Sequence, residues 1–155
     1  MGRRENYDSL VAQALEKISE IFPWDLEDGL GTQSPPLLVD VRERDEFEQG
    51  YIPGSINVPR GILEAACDFG FAETVPELVR ARELPLVVIC RSGRRSALAA
   101  RTMRELGYSQ AVSLKLGVKG WNDSEFPLID GHGNPVDGEE AEKILEPEIR
   151  PEQLG

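Results

Sequence analysis

VVICRSGRRSALAARTMRELG (Val87–Gly107) sets one cysteine between a short apolar run and three arginines, Arg91, Arg94 and Arg95. The run ahead of it, LPLVVIC (Leu84–Cys90), is too short for a helix and too continuously apolar for a strand with one wet face. It predicts a strand buried on both faces. The run behind it, Ser96–Leu106, places Ala97, Leu98, Ala100, Met103 and Leu106 at helical spacing, with Gly107 positioned to end the helix. CRSGRR (Cys90–Arg95) is then the connection at the carboxyl end of a buried strand, where open α/β sheets hold their ligands.

The same pattern extends in both directions. LLVDV (Leu37–Val41) and AVSLKL (Ala111–Leu116) read as further strands, Glu43–Gln49 as a short helix stopped at Gly50, and Gly61–Ala66 and Thr74–Ala81 as helical segments. Strands alternating with helices predict an α/β domain in three layers, a mainly parallel central sheet flanked by helices. Upstream, Tyr7–Phe22 carries Leu10, Val11, Ala14, Leu15, Ile18, Ile21 and Phe22 on one side of an amphipathic helix, which docks on some surface and is ended by Pro23. The stretch to Pro36 reads as a loop. From Asp130 onward large apolar residues are few and three prolines intervene, so a tail that is extended or disordered in part is expected. The chain thus divides into an N-terminal helix and loop (1–35), an α/β domain (36–129) and an acidic tail (130–155).

A net charge of -11 argues against nucleic acid and anionic membrane surfaces as partners. No apolar stretch approaches the roughly 18 residues of a membrane span, and MGRRENYDSL lacks the apolar core of a secretion signal. A cytoplasmic protein is expected. Two cysteines and one histidine make neither a disulfide framework nor a zinc site, so no metal or other cofactor is expected and the thiols are free for chemistry.

A tight loop that leads into a helix aims successive main-chain N–H groups at its centre, and with the helix dipole they favour an anion there. Gly93 lets the backbone bend without a side chain in the cavity. A free cysteine with a pKa of about 8.5 is only a few per cent thiolate at neutral pH. Making the thiolate the major form requires a fall of about two units, or about 2.7 kcal/mol. A helix N-terminus provides roughly 0.3–2 kcal/mol of that, which leaves a share for arginines and N–H donors. A cysteine that ends a strand is ordinarily a small core hydrophobe; Gly93 and three flanking arginines favour a nucleophile. Arginine forks also recruit oxyanions against the unfavourable overall charge.

DVRERDEFEQGYIPGSINVP (Asp40–Pro59) and LGVKGWNDSEFP (Leu116–Pro127) flank the loop, and the three together resemble the rhodanese family over roughly Pro36–Leu128. The resemblance implies a rhodanese-like α/β domain in which Cys90 carries a sulfane sulfur as a persulfide. It implies a sulfurtransferase that takes sulfur from thiosulfate or a persulfide and passes it to a thiol or to cyanide. Arg91 and Arg94 are expected to hold the donor's anionic end and Arg95 to brace the loop. Ser92, Gly93 and Ser96 are expected to supply main-chain donors, Ser96 being also placed to cap the helix. Asp40 and Arg42 match a family pair read as structural support, Cys67 and Trp24 as packing residues, and Leu116 as a bulky side chain that narrows the entrance. The six-residue loop of Cys90–Arg95 matches the family's sulfurtransferases; its phosphatase and arsenate reductase relatives have arginine where Ser96 stands. Three readings stay open: a thiosulfate-type sulfurtransferase, a relay or sensor that exchanges sulfur with a carrier protein's thiol, and a phosphatase or arsenate reductase.

Overall fold

Leu86–Ile89 is buried at all four positions and forms the central strand of a five-stranded sheet in a computed structural model, which describes Gly2 and residues 4–155. In chain order the elements are α1 (Tyr7–Lys17), β1 (Glu20–Ile21), α2 (Pro23–Leu30), β2 (Leu37–Asp40), α3 (Arg44–Gln49), β3 (Ile56–Asn57), α4 (Leu63–Ala66), α5 (Pro76–Val79), β4 (Leu86–Ile89), α6 (Arg94–Glu105), β5 (Ala111–Leu114), α7 (Gly117–Asp123) and α8 (Gly138–Leu145). Single 3-10 turns lie at Arg60–Ile62 and Pro151–Gln153. The strand order is β1-β5-β4-β2-β3, and every pairing is parallel.

Successive residues of a strand face opposite sides of the sheet. Leu86 and Val88 join Val39, Leu78, Met103 and Tyr108 beneath α4, α5 and α6. Val87 and Ile89 join Leu26, Leu114, Trp121 and Leu145 beneath α2, α7 and α8. Apolar residues at every position of β4 are what burial between two helical layers requires. The three-layer α/β architecture is therefore the one the strand runs predict.

Several expectations are overturned. The single helix over Tyr7–Phe22 ends at Lys17, Glu20–Ile21 extends along β5 as an edge strand, and Pro23 opens α2 instead of ending α1. Proline fits the first helical position because the N–H it lacks has no acceptor there. The surface that α1 docks on is α6 of the same domain, through Val11, Ala14 and Ala97. The tail also folds: Asp137 caps α8 by accepting from the Glu140 N–H, and Ala141 and Leu145 are buried against the Trp121 layer. Main-chain hydrogen bonds from Tyr51 to Ile129 and from Val136 to Leu128 tie the start of the tail to the body. Trp24 is not a core residue. It is about half exposed and stacks on Phe22 at 4.7 Å. No helix among the described residues is long and apolar enough to cross a membrane.

Candidate active site

β4 delivers Cys90 to the carboxyl edge of the sheet, and three residues later Gly93 adopts φ +99° to turn the chain into α6. That left-handed conformation suits glycine, and a side chain there would press on the main chain of Leu114 and Leu116. The turn brings the Gly93 N–H to 3.1 Å from Cys90 Sγ. Arg94, Arg95 and Ser96 form the first turn of α6, where N–H groups have no acceptor within the helix. The Gly93 N–H thus meets the sulfur of a residue that is only 1% exposed, beside the free N–H groups of the first turn of α6.

A second helix holds the loop from the other side. At the start of α7 the Val118 N–H donates to the Cys90 carbonyl at 2.9 Å and the Lys119 N–H to the Arg91 carbonyl at 3.0 Å. Both carbonyls are thus turned toward α7, while the Gly93 N–H faces the sulfur. This close approach depends on Gly117, at φ +62°, where a Cβ would overlap the Arg91 carbonyl. Gly117→Ala is expected to destabilise the fold by about 2–4 kcal/mol, the sum of a left-handed alanine and an overpacked contact. Urea unfolding checks this; an unchanged midpoint would mean that α7 does not pin the loop.

The three arginines have different surroundings. Arg95 donates both guanidinium nitrogens to the Glu46 carboxylate of α3, at 2.8 and 3.0 Å. This bond holds the Glu46 carboxyl below its usual range and raises the Arg95 guanidinium further above its own. Arg94 is paired with Asp8 of α1 and lies over the Tyr7 ring, 5.6 Å from its centroid. Arg91 makes no side-chain hydrogen bond or ion pair among the described residues. It borders a cleft of ≈ 790 Å³ whose other walls include Tyr7, Ser92, Arg94, Arg95 and, from the tail, Pro147, Glu148, Ile149 and Gln153. Of the two arginines expected to hold a donor, the geometry leaves Arg91 available and engages Arg94 elsewhere.

Ser96 does not cap α6. The helix opens two residues earlier with Gly93 as its N-cap, and the Ser96 side chain points inward, its Oγ 3.3 Å from Cys90 Sγ. Behind it lies Ser113 of β5 at 2.7 Å. Ser92 is exposed at the cleft, with no side-chain hydrogen bond among the described residues. Asp40 and Arg42 form a buried, bidentate ion pair at the end of β2; Arg42 also donates to the Gly50 carbonyl at 2.8 Å, and Asn57 donates to the carbonyls of both. Leu116, at φ +68°, stands 46% exposed beside Ser92 and Gly93, in the space that Gly120 leaves by lacking a side chain. Cys67 is wholly buried, and burial pushes its thiol pKa up, away from reactivity. No cluster of three or more metal-ligating side chains occurs among the described residues.

Ser113, Gly117 and the tail's wall of the cleft escape a reading of sequence alone. A serine inside AVSLKL was a usable signal, since a strand covered on both faces buries whatever it carries.

Comparison with known proteins agrees with this geometry. The Rhodanese-like domain family matches residues 23–124. A "Sulfurtransferase" of Allochromatium vinosum is 28% identical over 120 residues, covering 75% of this chain and 99% of the relative. "Uncharacterized protein YibN" of Escherichia coli is 34% identical over 95 residues, 61% of this chain and 62% of that relative, so the chain spans less than two thirds of YibN. The solved structure of a Rhodopseudomonas palustris protein, RPA3614, described as a possible tyrosine phosphatase, superposes with a TM-score of 0.73 at 27% identity, covering 83% of this chain and 97% of that one. A central parallel sheet, a cysteine loop at its carboxyl edge and a family match over most of the domain lead to one conclusion: the chain belongs to the rhodanese-like domain family of sulfurtransferases and sulfur carriers.

Proposed function

We propose that this protein is a sulfurtransferase that carries a sulfane sulfur on Cys90 as a persulfide. The observation that carries the reading is the Gly93 N–H at 3.1 Å from Cys90 Sγ, in a loop whose neighbouring N–H groups and Arg91 suit an anion. The Cys90 thiolate attacks the outer sulfur of the donor, a new S–S bond forms, and the old one breaks with its electron pair leaving on sulfite or on a thiolate. An acceptor thiolate then attacks the terminal sulfur, and the electrons of the second broken bond return to Cys90. Arg91 orients the donor's anionic end, Arg95 braces the loop through Glu46, and Arg94 sits at the rim.

The cleft favours a particular kind of partner. At ≈ 790 Å³ it is far larger than a thiosulfate ion, and the tail lines it with Pro147 and Ile149 as well as Glu148. These walls give an extended organic or protein-borne persulfide a surface to rest on beside the loop, which supports a relay to or from a carrier protein's thiol as the second reading. A phosphatase or arsenate reductase is disfavoured because Ser96 occupies the position where those relatives have arginine, and its hydroxyl faces inward to Cys90 and Ser113.

Intact mass measurement separates these readings. Exposure to thiosulfate, to glutathione persulfide or to a persulfidated carrier protein is expected to add about 32 Da, localised to the Cys90 peptide. Fast loading by the larger donors and slow loading by thiosulfate supports the relay. Loading by none of the three, or Cys90-dependent hydrolysis of an aryl phosphate, would overturn the sulfurtransferase reading.

A further inference from the structure

On the buried side of the Cys90 sulfur two hydroxyls stand in line. Ser96, in the first turn of α6, puts Oγ 3.3 Å from Cys90 Sγ, and Ser113, inside β5, puts its own Oγ 2.7 Å from that of Ser96. Both residues are 0% exposed, so solvent supplies no other partner. Among the described residues neither hydroxyl has a further hydrogen bond. The packing of the domain accounts for this position: Ser113 pairs with Val88 in the sheet register, two residues before Cys90, and Val88 shares a buried apolar cluster with Cys90, Ala99, Ala100 and Met103.

The line can be oriented in two ways. With the thiol protonated, Cys90 S–H donates to Ser96 Oγ; if Ser96 then donates to Ser113, the Ser113 O–H is left buried with no acceptor, which is costly. If Ser113 donates to Ser96, then Ser96 donates to sulfur and both strong donors are satisfied. The only hydrogen that can then lack an acceptor is the thiol's own S–H, the weakest donor of the three. Once the sulfur is an anion, every hydrogen in the line has a partner. Each donated bond also polarises the next one.

From this we infer that Ser113 is a positioning residue: it turns the Ser96 hydroxyl toward Cys90, so that the sulfur is held as a hydrogen-bond acceptor from its buried side. The inference rests on Cys90 being the reactive thiol. No proton travels along the pair; the hydroxyls only hold their orientation while the thiol proton leaves to solvent. The same line serves the return half of the proposed transfer. When an acceptor thiolate takes the terminal sulfur, the electrons of the broken S–S bond return to Cys90 Sγ, where the Ser96 O–H and the Gly93 N–H receive the charge.

The test compares Ser113→Thr with Ser113→Val, two side chains of nearly one shape, both suited to a strand, that differ in the hydroxyl. Alkylation by iodoacetamide, read by mass on the Cys90 peptide so that Cys67 does not interfere, is followed against pH. The charged and titratable groups around the loop are Arg91, Arg94 and Arg95 of the loop itself, Glu46 of α3, Asp8 and Tyr7 of α1, Asp40 at the end of β2 with Arg42 beyond it, and Lys115 after β5. All are common to the variants, so a difference reports the hydroxyl. The midpoint for threonine is expected to match the wild type, that for valine to rise by about half a unit, a threefold loss of the reactive form, and that for Ser96→Ala by about one unit, tenfold. Coincident threonine and valine midpoints would overturn the inference. Should the β-branched variants fail to fold, Ser113→Ala carries the valine expectation, and a wild-type midpoint there overturns it equally. Since alkylation needs no sulfur donor, failure of sulfur loading sinks the proposed function and leaves this measurement to judge Ser113 alone.

Discussion

The Cys90→Ala variant is expected to gain no sulfur mass from any donor and to lose transfer activity by at least about 10³-fold, as removal of a covalent nucleophile does. Its fold should survive. The sulfur occupies a small site, and its removal leaves the Gly93 N–H and the Ser96 hydroxyl short of one partner. Both groups are buried, and leaving them short of a partner costs about 1–3 kcal/mol each, a fall of several degrees in melting temperature for a chain of this size. Mass spectrometry and thermal melting on one preparation decide the matter. A variant that still loads sulfur would move the nucleophile to Cys67, whose buried, raised-pKa thiol is poorly suited to the task.

The largest effect on stability is expected at Arg42. Arg42 is 1% exposed and its partner Asp40 0%, and the pair joins the end of β2 to the Gly50 carbonyl and to Asn57. Arg42→Met removes one charge and leaves the Asp40 carboxylate buried and uncompensated, at a cost of about 3–5 kcal/mol. That is a large fraction of the ~5–15 kcal/mol a domain typically has. Combining it with Asp40→Asn removes the stranded charge, so the double variant is expected to be more stable than Arg42→Met alone. Urea denaturation of both proteins checks the order. A loss under about 1 kcal/mol for the single variant would show that the pair is not a structural lock.

How much of this was legible in the sequence depended on whether the responsible forces are local. β2, β4 and β5 announce themselves because strands buried on both faces need unbroken apolar runs, and the loop announces itself because Cys90, Gly93 and the arginines are adjacent. β1 has two residues and no period of its own; it exists because Glu20 and Ile21 meet Ser113 and Leu114 of β5. Pro23 is compatible with either end of a helix, and only the neighbouring strand decides which. α8 carries little apolar surface, and its order comes from Ala141 and Leu145 meeting the Trp121 layer. At the site, Arg94 is engaged by Asp8, 86 positions away, a pairing that no local pattern encodes. Ser113 looks like an outward polar residue until the sheet is seen to be covered on both sides.

The position of α8 and the following residues in the chain has a consequence for biosynthesis. Pro147, Glu148 and Ile149 wall the cleft beside Arg91, yet they are translated roughly 60 residues after Cys90, an interval of roughly 3–12 s at ordinary elongation rates. Until they emerge, the nascent thiol-bearing loop has no cover on that side. Oxidants and stray electrophiles meet it then with less shielding than they ever do in the finished protein.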